Sequence, residues 1–172
     1  MDADYGNAGA EALVQACLAG VPAALETLVV RYTNAAFAVA LSRLGNRQDA
    51  EDVTQETFVA AIRTLHTLKD PPRVGAWLCG IARHKALNWS VRWRRPGTVS
   101  WDALPAGAGP VGGGALDPIA AAELRSTVRS GIGALTPLQR EAVVLHYVGG
   151  YGVGEMAHFL WRTPGDRETT AP

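Results

Sequence analysis

The segment from Pro96 to Asp117 constrains this chain more than any other. It holds Pro105, Gly107, Gly109, Pro110 and the run Gly112-Gly113-Gly114. Glycine gives a helix or strand too much backbone freedom, and proline removes a donor from its ladder. A stretch of this composition makes a flexible linker. The chain therefore divides into a larger unit before the linker and a smaller one after it.

Both units read as helical. From Glu11 to Ala40 apolar side chains recur at helical spacing, with a break at Gly20-Val21-Pro22. Gly45-Asn46 ends a helix, and Asn46 to Asp49 offers the next N-cap. The following helix runs to about Leu65, with Phe58, Ile62 and Leu65 on one face and Ala61 beside them. Lys69-Asp70-Pro71-Pro72 requires a loop from His66 to Gly75, because paired prolines stop a helix. A further helix begins near Val74 and carries Trp77, Leu78, Ile81, Ala82, Ala86, Leu87 and Trp89 into Arg95-Pro96. Helix resumes near Pro118 and continues to about Leu160. No strand pattern competes, so the expected fold class is all-α.

The 172 residues carry 16 basic and 16 acidic side chains. That neutral balance conceals a split. The stretch opening Asp49-Ala50-Glu51-Asp52 is acidic, whereas Arg73 to Arg95 contains no acid. Two surfaces of opposite charge suggest two partners of opposite charge. The N-terminus, Met1-Asp2-Ala3-Asp4, is acidic where an export signal would be basic. No uninterrupted apolar run reaches bilayer length, so a cytoplasmic protein without a membrane partner is expected. Cys17 and Cys79 lie far apart and outside any zinc-binding spacing, which fits reduced, part-buried thiols.

Asp49, Asp52 and Glu56 are spaced i, i+3, i+7 and share a helical face, with Gln55 beside it. Acids at a helix start also complement its dipole, and that alone accounts for Asp49 and Glu51. Glu56 lies beyond the first turn, where a docking face for a basic partner is the alternative. No His or Cys joins the cluster, so a metal site is disfavoured and no cofactor is expected. The helix after the proline loop is the opposite. Arg83, Lys85, Arg92, Arg94 and Arg95 gather there, Lys69 and Arg73 precede it, and Trp77, Trp89 and Trp93 are interleaved. Cations neutralise phosphates and aromatic faces stack on unpaired bases, a combination suited to melted or single-stranded nucleic acid. Trp77 shares its spacing with core positions; Trp89 and Trp93 stand at i, i+4 among charges. The loop presenting His66, Lys69 and Arg73 is stiffened by its prolines and is a candidate pocket for a flipped base.

Asp49-Ala50-Glu51-Asp52-Val53-Thr54-Gln55-Glu56-Thr57-Phe58 resembles the region 2.2 signature of bacterial RNA polymerase sigma factors. Ala76-Trp77-Leu78-Cys79-Gly80-Ile81-Ala82-Arg83-His84-Lys85-Ala86-Leu87-Asn88 resembles the segment that follows it, with Asn88 where the family often has Asp. Two helical units on a linker are similar to the extracytoplasmic-function group. The resemblance implies residues 8–96 as sigma region 2, 97–117 as the linker, 118–160 as a partial region 4 and 161–172 as an aberrant tail. It implies that Asp49, Asp52, Gln55 and Glu56 dock on the clamp helices of the largest subunit of core RNA polymerase. It implies that the His66–Arg73 loop holds a base flipped from the −10 element of promoter DNA. The following helix would melt that element, with Arg83, Lys85, Arg92, Arg94 and Arg95 near phosphates. An anti-sigma factor is a further partner the family admits.

Leu135 to Tyr147 resembles the opening of region 4. Thr136 is its cap, Pro137 takes the first helical position, and Leu138, Val143, Val144 and Tyr147 form the apolar pattern. Glu155 to Leu160 resembles the first helix of its helix-turn-helix, with Gly152 where the family usually offers a capping Ser. The family then continues with a recognition helix, typically Gly-Thr-Val-Lys-x-Arg-Leu. Here Trp161 to Pro172 has no apolar stripe. Permitted codons for Gly165 to Pro172, read one base later, spell Gly-Thr-Val-Lys-Pro-Arg-Leu. The hypothesis is a frameshift near Leu160-Trp161, and coding DNA whose alternative frame lacks such a helix would sink it. As the chain stands, two short helices bury little without a third.

No nucleophile–base pair and no phosphate loop is evident, and His66, His84, His146 and His158 are scattered, so the chain does not read as an enzyme. The rivals to the sigma reading are a DNA-binding regulator of another helix-turn-helix class and a truncated remnant. The remnant would dock on polymerase or an anti-sigma factor without initiating.

Overall fold

The computed structural model describes residues 5–92 and 117–160. Seven α-helices and no strand occur among them: α1 (Ala10–Leu18), α2 (Pro22–Leu44), α3 (Arg47–Thr64), α4 (Val74–Arg92), α5 (Pro118–Ala134), α6 (Pro137–Tyr147) and α7 (Val153–Leu160). Short 3-10 turns, Leu65–Thr67 and Pro71–Arg73, occupy the proline loop between α3 and α4.

Local chemistry sets the boundaries. Pro22 stands at the start of α2, where its missing N–H costs nothing. Gly45 ends that helix at φ 63°, a left-handed conformation that disfavours any side chain, and its N–H bonds the Leu41 carbonyl at 2.8 Å. Asn46 then caps α3 by accepting from the Asp49 N–H at 3.0 Å. Thr136 and Gln139 form a reciprocal capping box on α6. The Arg140 guanidinium, one turn later, donates to the carbonyls of Ile132, Gly133 and Leu135. It thereby satisfies the orphan C-terminal acceptors of α5 and complements that helix's dipole.

α2 is the hub, packing on α1, α3, α4 and α6. Ala35, Ala36, Ala38 and Ala40 are all buried along it, and small side chains let neighbouring helices approach. By length and composition it is long enough and apolar enough to cross a membrane. This departs from the expectation of no span-length run. Glu26, Arg31 and Arg43 punctuate the helix, so its apolar character shows only over a window. Its buried face forms the core of the bundle. Arg31 reaches back to the carbonyls of Tyr5, Gly6 and Ala8 at 2.8–3.0 Å and fastens the N-terminal segment.

Phe58, Ala61 and Leu65 are buried on α3 and its end, but Ile62 is exposed, because the helix turns that position away from α2 and α4. On α4 the buried stripe is Val74, Leu78, Cys79, Ala82 and Ala86. Leu87 is exposed, while Trp77, Ile81 and Trp89 are half-buried against the core.

The second unit differs most from its sequence pattern. Leu138 and Tyr147 are exposed, and the buried positions of α6 are Glu141, Val144 and Leu145. α6 packs on α2 and α7 on α4, so Val144, Leu145, Met156 and Phe159 share one core with the first unit. The apolar surface that two short helices cannot bury between themselves is buried here against the first four.

Candidate functional site

α3 buries Val53, Thr54, Thr57 and Phe58 and turns its other side outward. The buried threonines need no outside partner, since their hydroxyls donate to the carbonyls of Ala50 and Val53 at 2.6 and 2.7 Å. Asp52, Gln55 and Glu56 are thereby held on the exposed face of a rigidly backed helix. Asp49 sits half-buried in the first turn. Arg47 and Glu51 form an exposed i, i+4 pair at 2.7 Å, so Glu51 is spent on its own helix.

The acidic and basic surfaces meet. Asp52, Gln55, Glu56, Val59, Ala60 and Arg63 of α3 line a groove of about 500 Å³ with Lys85 and Trp89 of α4. Lys85 Nζ bonds Glu56 Oε2 at 3.0 Å across it. Residues expected to face different partners thus form the two walls of one groove.

The loop residues His66, Lys69 and Arg73 are all exposed, with Arg73 paired to Asp70 at 3.0 Å. The adjoining Pro71–Arg73 turn packs on α1. Arg92 is exposed at the end of α4. Trp93, Arg94 and Arg95 lie outside the described residues. The Asn88 amide contacts His84 Nδ1 at 3.3 Å on the exposed side of α4.

Two expected nucleic-acid contacts are placed differently. Trp77 is half-buried and packed against the core, which leaves only part of its ring surface outward. Arg83 faces α6. Its guanidinium donates to Glu141 Oε1 at 2.6 and 2.9 Å, and Nη2 also donates to the Phe159 carbonyl at 2.7 Å. Arg43 of α2 approaches the same carboxylate at 3.5 Å. The Glu141 side chain is 1% exposed. Sequence pattern missed this centre, since a glutamate within an apolar helix reads as a surface residue. Its one signal was position: Glu141 precedes Val144 and Leu145 by three and four, which puts it on their face.

Beside this centre Phe159 enters a slot at Gly75, edge-on to Tyr32 and Tyr151 with ring centroids 6.5 and 4.7 Å away. His146 Nδ1–H donates to the Tyr151 carbonyl at 2.8 Å and secures the turn between α6 and α7. Cys79 lies within this packing, and burial pushes its thiol up to about 12, overriding the lowering effect of Arg83. Cys17 and Cys79 are both buried and unpaired with each other. No cluster of potential metal ligands occurs among the described residues.

The Sigma-70 region 2 family model matches residues 28–95, which covers the groove, the proline loop and α2 from Leu28 onward. The ECF RNA polymerase sigma-E factor of Salmonella typhimurium is 33% identical over 158 residues, covering 87% of this chain and 82% of its own length. The ECF RNA polymerase sigma factor BldN of Streptomyces coelicolor is 31% identical over 172 residues, covering 97% of this chain and 63% of its own. SigX, an ECF RNA polymerase sigma factor of Bacillus subtilis, is 30% identical over 123 residues, covering 67% of this chain and 61% of its own. The chain thus spans less than two thirds of the length of the last two.

Proposed function

The chain belongs to the ECF RNA polymerase sigma factors, and from that membership we propose that it directs core RNA polymerase to promoters and aids melting of the −10 element. The observation that carries the reading is the groove between α3 and α4. Its acidic wall of Asp52, Gln55 and Glu56 is exposed and rigidly backed, as a docking face for a basic partner must be. That partner is the pair of clamp helices of the polymerase largest subunit, with Asp49 contributing from the first turn. The opposite wall and the helix end supply Lys85, Trp89 and Arg92 to the melted strand, continued by Trp93, Arg94 and Arg95. His66, Lys69 and Arg73, exposed on a proline-braced loop, hold the flipped base. The chain acts by binding, in the cytoplasm and without catalysis of its own, and an anti-sigma factor would compete for the same acidic wall. Residues 97–117 act as the linker and 118–160 as a partial region 4.

Transcription from a matched promoter by core polymerase plus this chain is the deciding assay. Promoter-specific transcripts are expected. Core binding without transcripts would favour a docking remnant, and duplex binding without polymerase a different class of regulator. Asp52→Lys combined with Glu56→Lys should abolish core binding; undiminished binding would overturn the assignment of that wall.

A further inference from the structure

The Arg83–Glu141 centre occupies a cation that the sigma resemblance places near phosphates and that the groove between α3 and α4 does not use. Arg83 stands on α4 two residues before Lys85, yet it is 11% exposed and turned onto α6. One carboxylate, Glu141, accepts from Arg83 and pairs with Arg43. Next to it Phe159 of α7 fills a slot that only glycine leaves open. A Cβ on Gly75 would lie 2.8 Å from Phe159 Cε1 and 3.0 Å from Tyr32 Cε1. The contact therefore rests on two unlike elements, a charge lock and a steric key, and both come from the second unit onto the first.

The chemistry suits a contact that is specific and releasable. A buried ion cluster contributes less net stability than apolar packing of equal volume, but it fixes one register. Loss of a single charge leaves its partners desolvated and unpaired, so the cluster holds or fails as a unit.

We propose that α6 and α7 form an autoinhibitory latch on α2 and α4, closed by Glu141 between Arg83 and Arg43 and by Phe159 in the Gly75 slot. In the closed form Arg83 is withheld from nucleic acid and the helices that carry region 4 cover the inner side of α4. Opening exchanges the Glu141 carboxylate for a phosphate as the anion on Arg83. The inference rests on the sigma reading only for the role of Arg83 in binding DNA; the latch itself is a conformational claim that can be measured alone.

The test uses the full chain and two unrelated ways of opening it. Glu141→Gln removes the charge lock, and Gly75→Val blocks the key without altering any charge. In a Cys17→Ala, Cys79→Ala background, since opening would uncover Cys79, fluorophores are directed to cysteines introduced at the exposed positions Ile62 on α3 and Val153 on α7. Energy transfer between them reports separation of the units, and a labelled single-stranded DNA of mixed sequence reports binding. Circular dichroism identifies any variant that has lost its fold. Because the competent fraction scales apparent affinity, both variants are expected to lose energy transfer and to bind the strand at least about tenfold more tightly than the parent chain. Unchanged energy transfer in the folded variants overturns the proposal. So does increased separation with unchanged DNA affinity, since Arg83 would then not be gated. The sigma reading stands or falls separately, on transcription with core polymerase.

Discussion

Two cations on α4, two residues apart, each hold a glutamate from another helix, and they illustrate opposite uses of one chemistry. Lys85 meets Glu56 at 3.0 Å with side chains 31% and 50% exposed. Arg83 meets Glu141 at 2.6 Å with side chains 11% and 1% exposed. Spacing of two on a helix turns the side chains about 200° apart, so one pair edges an open groove and the other closes an interface. Water screens the first pair and is excluded from the second. The same contact therefore exchanges side chain by side chain in one place and only with movement of a whole helix in the other. A partner can take Glu56 from Lys85 at little cost, whereas nothing takes Glu141 from Arg83 without moving α6.

The strongest way to break this comparison is to remove the buried acid altogether. Glu141→Ala leaves the Arg83 and Arg43 guanidinium groups facing an empty site. Loss of one partner from a buried pair costs about 3–5 kcal/mol. Urea unfolding and hydrogen exchange should place that loss in α6 and α7 first. Replacing both members, Glu141→Leu with Arg83→Leu, should recover most of it, because apolar groups of similar size need no partner there. If the double variant is no better than Glu141→Ala, the ion pair is not the origin of the cost.

A pH titration probes the same centre from its neighbour. The Cys79 thiol is held up to about 12 by burial, against 9.0 for an ordinary thiol. The folded state therefore favours the neutral form. Its contribution is fully present below pH 9 and is lost as pH rises from 9 towards 12. Denaturant midpoints should fall over that window, and the fall should shrink in Cys79→Ala. Near pH 8 the native chain should resist alkylation at Cys79, with reactivity appearing only on unfolding.

The caps make a smaller and more local comparison. Asn46 caps the helix that carries Glu56, and Thr136 caps the helix that carries Glu141. Asn46→Ala and Thr136→Ala should each cost about 1 kcal/mol. The first loss should appear in global unfolding, because α3 is part of the central bundle. The second should appear in faster exchange of α6 amides, because α6 reaches the bundle through one face.

Both caps were legible in sequence, as were the breaks at Gly20 to Pro22, at Gly45 and at the proline loop. Each rests on a local rule that tertiary contacts did not need to override. The exposed row Asp52, Gln55, Glu56 was legible for the same reason, since helical spacing alone puts those residues together. The inward turn of Arg83 was not. Nothing in the spacing of α4 distinguishes it from Lys85; what decides is a helix arriving from more than fifty residues away. Leu138 and Tyr147 misled for a related reason. Hydrophobicity suggested them as the buried stripe of α6, but that helix docks on arginines and offers Glu141 with Val144 and Leu145. Patterns within one element cannot anticipate a face chosen by a charged partner on another.

The smallest expected effect sharpens the comparison most. Glu56→Ala, Lys85→Ala and the double variant form a cycle whose coupling energy should be about 0.2–1 kcal/mol and should decline with added salt. A coupling above about 2 kcal/mol would mean that the groove is drier than its open form implies, and the contrast with Glu141 would collapse. The functional consequences should be the reverse of the thermodynamic ones. Lys85→Ala leaves the acidic wall more negative, so docking of a basic partner should be retained or tightened while affinity for single-stranded DNA weakens. Glu56→Ala should weaken docking and leave the strand affinity unchanged or slightly raised. A cycle nearly silent in stability but split between two binding assays is what an exchangeable pair predicts, and a structural pair cannot produce it.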